Sequence, residues 1–305
     1  MKKWIWCVCL LILIGGCERQ ANQPGGDKGG IRVVSANTII ADFTQAVGGG
    51  RINHTSLLKP GDDPHVYEPV PKDNIELERA DIVFYNGYNL EANLIKLIKS
   101  TNVRGKAVAV AETERIKPME TEYEGKKRVD PHVWMDVKNA IIMVETIRDE
   151  LIKTSPKDEA IFKENAAVLI QQLQDLDNWI RQQIASIPVS RRKLITTHDA
   201  FQYYGRAYGI KILGTLIGIS TEEQPSAQTV RELVAKIRNS GVETVFVETS
   251  INPRLMETVA VEAGVRVASE KLYSDSLGKG GGEADTYVKM MRWNTNVIVK
   301  NLKGQ

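Results

Sequence analysis

Three of the four histidines in the chain lie beside an acidic residue. His65 ends the run DDPH, His132 ends VDPH, and His198 is followed by an aspartate in THD. Neutral imidazole together with carboxylate is a typical ligand set for a divalent transition metal. We therefore predict a metal site, provided that the fold brings these rings together. The fourth histidine, His54, lies within a predicted strand, in the run INHT, and is interpreted as structural.

Each of these histidines also has a simpler interpretation. His65 and His132 each follow Asp-Pro and can occupy a turn, and His198 follows the run LITT and can be a core histidine with a hydrogen-bonded ring. The prolines disfavour helix for their neighbours, so both Asp-Pro-His runs are expected in loops. Loops at the carboxyl ends of parallel strands are where ligands bind in α/β sheets.

Four carboxylates near the histidines have two possible roles. Asp130, Asp136, Asp199 and Glu248 can accept hydrogen bonds that orient the rings, or they can cap helices and face solvent. For Asp136 the sequence favours capping, because a helix is predicted to start near it.

A long helix is predicted from Ser155 to Ile187. Ser155 can cap it and Pro156 suits its first position. Apolar residues recur every three or four positions and so share one face: Phe162, Ala166, Leu169, Leu173, Leu176, Ile180, Ile184 and Ile187. At 1.5 Å per residue the helix is roughly 48 Å long, more than a small domain needs. We interpret it as a spine between two lobes, residues 31–154 and 188–305.

Short apolar runs alternate with helical segments on both sides of the spine. The predicted strands are Ile31–Ala36, Arg51–Leu58, Ile82–Tyr85, Ala107–Val110, Lys193–Thr197, Lys211–Gly214, Glu243–Glu248 and Val265–Ala268. The predicted helices are Thr38–Val47, Leu90–Lys99, Ala200–Tyr208, Ser226–Asn239, Pro253–Ala263 and Asp285–Leu302. Strands separated by helices imply a parallel sheet covered on both faces. The predicted fold class is α/β, with two lobes that each have a mainly parallel sheet flanked by helices, joined by one long spine helix.

The amino terminus is typical of a targeting signal. Two lysines precede the apolar run Trp4–Ile14, which is too short to span a bilayer comfortably, so residues 1–16 are predicted to be a signal peptide. The segment ends in IGGC, which resembles the bacterial lipobox and implies a lipid on Cys17. An ordinary secretory signal with a chance cysteine is the alternative. Residues 17–30 are polar and glycine-rich, and we predict a lipid-anchored flexible linker.

Charge and cysteine content exclude several classes of protein. Removing residues 1–16 removes two of the 40 basic residues and leaves 38 against 38 acidic ones, so no basic face for nucleic acid is expected. The same removal takes Cys7 and Cys9 and leaves only Cys17. A mature chain with one cysteine forms no intramolecular disulfide and no cysteine-rich zinc site.

Five motifs in order resemble one known family. They are VSANTIIADFTQAVGG, LLKPGDDPHVYEPVPKD, DPHVWMD, THDAFQYYGRAYGI and LYSDSLG, and the similarity extends over residues 31–303. The family is that of the metal-binding lipoproteins that serve ABC importers of zinc and manganese. The resemblance implies four metal ligands, His65, His132, His198 and Asp275. On its own, Asp275 would be interpreted as a helix cap or turn residue.

The resemblance also implies cargo and partners. One Mn²⁺ or Zn²⁺ per chain is expected as transported ligand, with the permease and ATPase subunit of an importer as partners. The third ligand position is glutamate in many manganese members and histidine here, whereas residues 117–128 lack the histidine-rich loop of many zinc members. The implied location is the extracytoplasmic face of the bacterial cell membrane, periplasmic in a Gram-negative host, and the implied state is a monomer.

Two functions use the same four residues. A zinc-dependent metallohydrolase needs an open coordination position and usually a nearby general base. Three imidazoles and one aspartate close the coordination shell, which favours a binding protein rather than an enzyme. Because only neutral imidazole binds metal, affinity is expected to fall as the pH drops through about 6.5.

Overall fold

The computed structural model describes residues 30–123 and 126–303. The strands are β1 (Ile31–Ser35), β2 (Ile52–Ser56), β3 (Ile82–Tyr85), β4 (Lys106–Ala109), β5 (Glu120–Tyr123), β6 (Lys126–Val129), β7 (Lys193–Thr196), β8 (Lys211–Thr215), β9 (Thr244–Val245) and β10 (Arg266–Val267). The α-helices are α1 (Thr38–Gly48), α2 (Pro71–Arg79), α3 (Ala92–Ser100), α4 (Val137–Thr154), α5 (Glu159–Ala185), α6 (Gln202–Tyr208), α7 (Ala227–Ser240), α8 (Arg254–Ala263) and α9 (Tyr287–Leu302).

The first lobe is built on a parallel sheet of four strands in the order β2-β1-β3-β4. Val33 and Val34 of β1 are buried on opposite faces, because successive strand residues point to opposite sides. One face packs under α2 and α3, and the other contributes to a large core that includes α1 and α4. A parallel sheet covered on both faces is what the sequence predicted.

The second lobe repeats this strand order in a looser form. Strand β7 pairs in parallel with β8, and β9 pairs in parallel with β10. The backbone N–H of Phe246 donates to the carbonyl of Ile195 at 2.9 Å and connects the two pairs in the order β8-β7-β9-β10. Helices α7 and α8 pack on these strands around a separate apolar core. The predicted α/β class with helix-flanked parallel sheets is confirmed.

Helix α5 joins the lobes. It packs on α1 and α4 from the first lobe and on α6 and α9 from the second. All seven predicted apolar positions within the helix are buried, and they belong to one core that reaches from Phe43 in α1 to Tyr287 in α9. The long spine helix is therefore confirmed. A single helix packed on both sides along its length resists bending.

The ends of this helix differ from the prediction. A 3₁₀ turn, Pro156–Asp158, precedes α5, and the helix ends at Ala185, two residues before the buried Ile187. The Ser155 hydroxyl bonds the Asp158 carboxylate at 2.7 Å and caps no backbone N–H. The predicted serine cap is wrong, because a nearby carboxylate accepts the hydroxyl proton in preference to local backbone groups.

One helix and one β-hairpin were not predicted. Helix α2 begins with Pro71 at its first position, and the Asp73 carboxylate accepts from Val70 N at 2.8 Å, which satisfies a free amide at the helix start. Strands β5 and β6 form an antiparallel hairpin before the His132 loop. In the ranges that the structure describes, no helix is both long and apolar enough to cross a membrane.

Candidate metal centre

The two Asp-Pro-His runs form similar loops. The Asp63 carboxylate accepts a hydrogen bond from the backbone N–H of His65 at 2.9 Å, and the Asp130 carboxylate accepts one from that of His132 at 3.0 Å. Each aspartate therefore closes a short turn over its proline and fixes the direction of the following ring. Asp130 also accepts from the ring Nδ1 of His132 at 2.7 Å. This second bond leaves Nε2 of His132 free to face the space between the lobes.

The other two candidate ligands come from the second lobe. His198 follows β7, and its carbonyl accepts a hydrogen bond from the Thr196 hydroxyl at 2.9 Å. Asp275 lies in a loop that the first lobe holds in place. Trp134 Nε1 donates to the carbonyl of Ser274 at 3.1 Å, and the backbone N–H of Leu277 donates to the Thr38 hydroxyl at 2.9 Å.

The structure brings all four side chains together. One nitrogen from each ring and one carboxylate oxygen of Asp275 lie within 4.8 Å of one another. Nε2 of His132 is 3.3 Å from that of His65 and 3.4 Å from that of His198. The two Asp275 oxygens lie 3.3 Å from His132 Nε2 and 3.2 Å from His198 Nε2. Three borderline nitrogens and one carboxylate around one point can hold a divalent transition metal.

Burial closes this site to bulk water. His132 and His198 have no exposed surface, Asp275 keeps 1% and His65 keeps 4%. A cavity of about 700 Å³ opens beside His65. Its wall includes Tyr88, Asn89, Glu112, Arg128, Ile219 and Glu222. The cavity places His65 on the side of the site that faces the opening.

Burial and neighbouring charge act differently on the three rings. Burial lowers the pKa of His65 to about 3, so this ring is neutral. Burial also lowers the pKa of His132, but the bond to Asp130 and the charge of Asp275 outweigh it and raise the pKa to about 9. For His198, burial is outweighed by Asp275 and Glu248, and the pKa lies well above 6.5.

Asp275 shows the complementary shift. Burial raises the pKa of this carboxyl, but His198 and His132 outweigh burial and hold the pKa well below its usual range. Without an ion, the site therefore contains a carboxylate between two protonated rings. A metal ion has to displace both protons before it can bind.

The neighbouring residues named from the sequence fall into different environments. Asp136 caps α4 by accepting from Lys138 N at 3.0 Å, as the sequence favoured. The Asp199 carboxylate accepts from the Gln202 side chain at 2.8 Å, and Glu248 lies 3.8 Å from His198 Nδ1. His54 lies in β2, outside the cluster, where its Nε2 is 2.9 Å from the Ser35 hydroxyl.

Sequence reasoning missed three residues that hold the site together. Trp134 anchors the Asp275 loop, and its position two residues after His132 in a quoted motif was the available signal. The side-chain amide of Asn86 donates to the carbonyl of Pro131 at 3.0 Å and supports the His132 loop. The Thr221 hydroxyl donates to Asp63 at 2.7 Å and connects the lobes beside His65. No local pattern marks Asn86 or Thr221.

Two α/β lobes around a rigid helix, with a buried nitrogen-rich centre between them, define the class of solute-binding proteins for metal ions. The chain belongs to the family described as zinc-uptake complex component A, periplasmic, whose sequence profile matches residues 33–301. The identification made from the sequence motifs is confirmed.

Relatives and solved structures agree with this assignment. The metal ABC transporter substrate-binding lipoprotein FimA of Streptococcus parasanguinis is 34% identical over 301 residues, which cover 97% of this chain and 96% of FimA. The manganese-binding lipoprotein MntA of Halalkalibacterium halodurans is 33% identical over 305 residues, 99% of each chain. The periplasmic zinc binding protein TroA of Treponema pallidum superposes with a TM-score of 0.84 at 32% identity and covers 90% of this chain and 100% of TroA.

These names describe binding proteins and components of importers. They support the interpretation of the chain as a binding protein rather than an enzyme, and the metallohydrolase alternative gains no support.

Proposed function

We propose that this protein is the extracytoplasmic solute-binding lipoprotein of an ABC importer and that it captures a divalent transition metal between its lobes. The observation that carries the proposal is the convergence of His65, His132, His198 and Asp275 within 4.8 Å, all buried. A buried cluster of this kind has few uses besides coordination, because unpaired polar groups inside a protein are costly. Family membership supplies the transport context.

Manganese and zinc are both proposed as cargo. The relatives include a protein named for manganese and a solved structure named for zinc. Three imidazole ligands bind zinc more tightly than manganese by the Irving–Williams order, so zinc is expected to win in vitro. Cargo in the cell also depends on which metal is available.

The proposed partners follow from the same family context. The protein hands its ion to a permease that an ATPase subunit drives, and it works as a monomer. A lipid on Cys17 holds it at the outer face of the cell membrane, and residues 17–30 tether the lobes. The signal peptide, Cys17 and the tether up to residue 29 lie outside the described residues.

Paired histidine variants test the site. His132→Ala removes a predicted ligand, and it should weaken zinc binding by more than the roughly 100-fold that loss of a supporting group costs. His54→Ala removes a histidine outside the cluster and should bind zinc like the unmodified protein. Isothermal titration of both variants with zinc and with manganese gives the comparison. Equal losses in the two variants would contradict the proposed site.

A further inference from the structure

Glu248 lies fully buried behind His198 with an unusual lack of partners. Neither of its carboxylate oxygens has a hydrogen-bond partner among the described residues, and the same holds for Nδ1 of His198. These two groups lie 3.8 Å apart. A buried polar group without a partner costs free energy, so two such groups facing each other need an explanation.

The backbone around Glu248 is fixed, which leaves the side chains to adjust. The N–H of Thr249 donates to the carbonyl of Leu272 at 2.9 Å, and the N–H of Leu272 donates to the carbonyl of Val247 at 2.9 Å. Shortening the gap to a hydrogen bond needs a shift of about 1 Å. Rotation of the Glu248 carboxylate and the His198 ring can supply such a shift without moving the backbone.

In the first lobe, the corresponding hydrogen bond between a carboxylate and a histidine ring is already formed. Asp130 accepts from Nδ1 of His132 at 2.7 Å and leaves Nε2 directed into the cluster. Metal-binding histidines almost always donate their other ring N–H to a carboxylate, a carbonyl or water, which sets the tautomer and orients the ring. Asp199, the sequence neighbour of His198, does not take this role, because it bonds Gln202.

We propose that Glu248 is the positioning residue for His198. Its carboxylate accepts a hydrogen bond from the Nδ1–H of His198 when Nε2 binds the ion. The inference rests on the proposed function and adds one residue, Glu248, to the metal centre. Asp130 supports a ligand of the first lobe, and Glu248 supports a ligand of the second. With the ion bound, the two bonds fix the tautomer and the orientation of two of the three rings.

Three variants test this role by zinc titration. Glu248→Leu fills the space without an acceptor and should reduce zinc affinity by about 10- to 100-fold. Glu248→Gln keeps one acceptor oxygen and should retain most of the affinity. Asp199→Asn is the matched control, a partly buried carboxylate next to His198 in the chain, and should change affinity by no more than about threefold, since it orients no ring.

Histidine nitrogen NMR of the zinc-loaded protein gives a readout that a merely structural role would not change. The His198 Nδ1 proton should be visible and shifted downfield in the unmodified protein, and it should move upfield or exchange rapidly in Glu248→Leu. Circular dichroism checks that each variant folds. If Glu248→Leu does not fold, Glu248→Gln takes its place, and a shift of the same proton in that variant supports the role.

Two results would overturn the inference and leave the proposed function standing. One is zinc affinity of Glu248→Leu within threefold of the unmodified protein while His132→Ala loses binding. The other is a loss of affinity with an unchanged His198 proton signal, which would show that Glu248 stabilises the lobe and does not orient the ring. Retention of binding by His132→Ala would instead remove the proposed function itself.

Discussion

Raising the pH from 6 to 8 should tighten zinc binding far more steeply than three ordinary histidines allow. The pKa of His132 is raised to about 9, and that of His198 lies well above 6.5, whereas that of His65 is lowered to about 3. Two rings therefore hold protons at neutral pH, and an ion must displace both. The pH range over which metal affinity changes therefore lies above the value of about 6.5 that the pKa of unperturbed imidazole predicts.

The size of the effect follows from the shift at His132. A pH of 7 lies about two units below the pKa of His132. Removing the proton of this ring at pH 7 therefore costs about 2.7 kcal/mol, which lowers the apparent metal affinity by a factor of about 100. With two protons displaced, affinity should rise by about two powers of ten for each pH unit. Manganese should follow the same slope.

Isothermal titration in two buffers of different ionisation enthalpy measures the protons directly. We expect about two protons released per zinc ion at pH 7, compared with about 0.7 for three histidines of ordinary pKa. Asp130→Asn removes the carboxylate that raises the pKa of His132 and should release about one proton fewer. Release of fewer than one proton from the unmodified protein, with flat affinity between pH 7 and 8, would refute the reasoning.

The free energy of unfolding of the metal-free protein should depend on pH because of the same protons. Because the pKa of His132 is higher in the folded chain than the unfolded value of about 6.5, its proton stabilises the fold fully below that pH. The contribution is lost as the pH rises through about 9 and amounts to about 3 kcal/mol. Chemical denaturation of the metal-free protein between pH 6 and 9 measures it, and zinc-loaded protein is the control, since the ion has already replaced the proton.

Three further predictions concern the anchor, the cargo and the motion. Cys17→Ser should release the protein from membranes into the soluble fraction, because only the lipid is expected to hold it; mass spectrometry of the mature amino terminus checks the modification, and an unmodified Cys17 would end the lipoprotein interpretation. His198→Glu should shift preference toward manganese, because a hard carboxylate replaces a borderline imidazole; an unchanged or increased zinc-to-manganese ratio in competition titrations would show that geometry sets the choice. Metal binding should change the radius of gyration little, since α5 packs on both lobes and Trp134 bonds the Asp275 loop; a large decrease in X-ray scattering would contradict this.

The sequence predicted most of the first sheet, because β1 and β3 contain buried apolar runs bounded by turns. Strand β3 has the predicted bounds, β1 ends one residue earlier than predicted, and β4 is shifted by one residue toward the amino terminus. Prediction was weaker in the second lobe, where the run 243–248 gave only the two-residue strand β9. Residues 244–248 of this run are buried, but their pairing depends on partners far along the chain, such as Leu272 opposite Glu248. The local sequence pattern predicts that these residues are buried, but it does not predict which segments they pair with.

The hairpin β5–β6 was missed for a different reason. Residues 117–128 are mostly polar and lack the alternation of apolar residues that marks a half-buried strand. Candidate ligands could be named because histidine is scarce here and sits beside acidic residues. Their spacing in the fold could not be derived, because it depends on hydrogen bonds between distant segments, such as the bond from Trp134 to Ser274.

The exchange of two protons for one divalent ion bears on release as well as capture. The buried cluster carries the same charge before and after exchange, so binding of the ion adds no net charge between the lobes. Loaded and metal-free forms can then keep nearly the same packing around α5, and no large opening is needed to relieve repulsion. The loaded and metal-free forms then differ mainly in whether His132 and His198 carry these protons. A local rise in proton activity at the permease would favour release, since two protons compete for each ion and the dependence on proton concentration is squared.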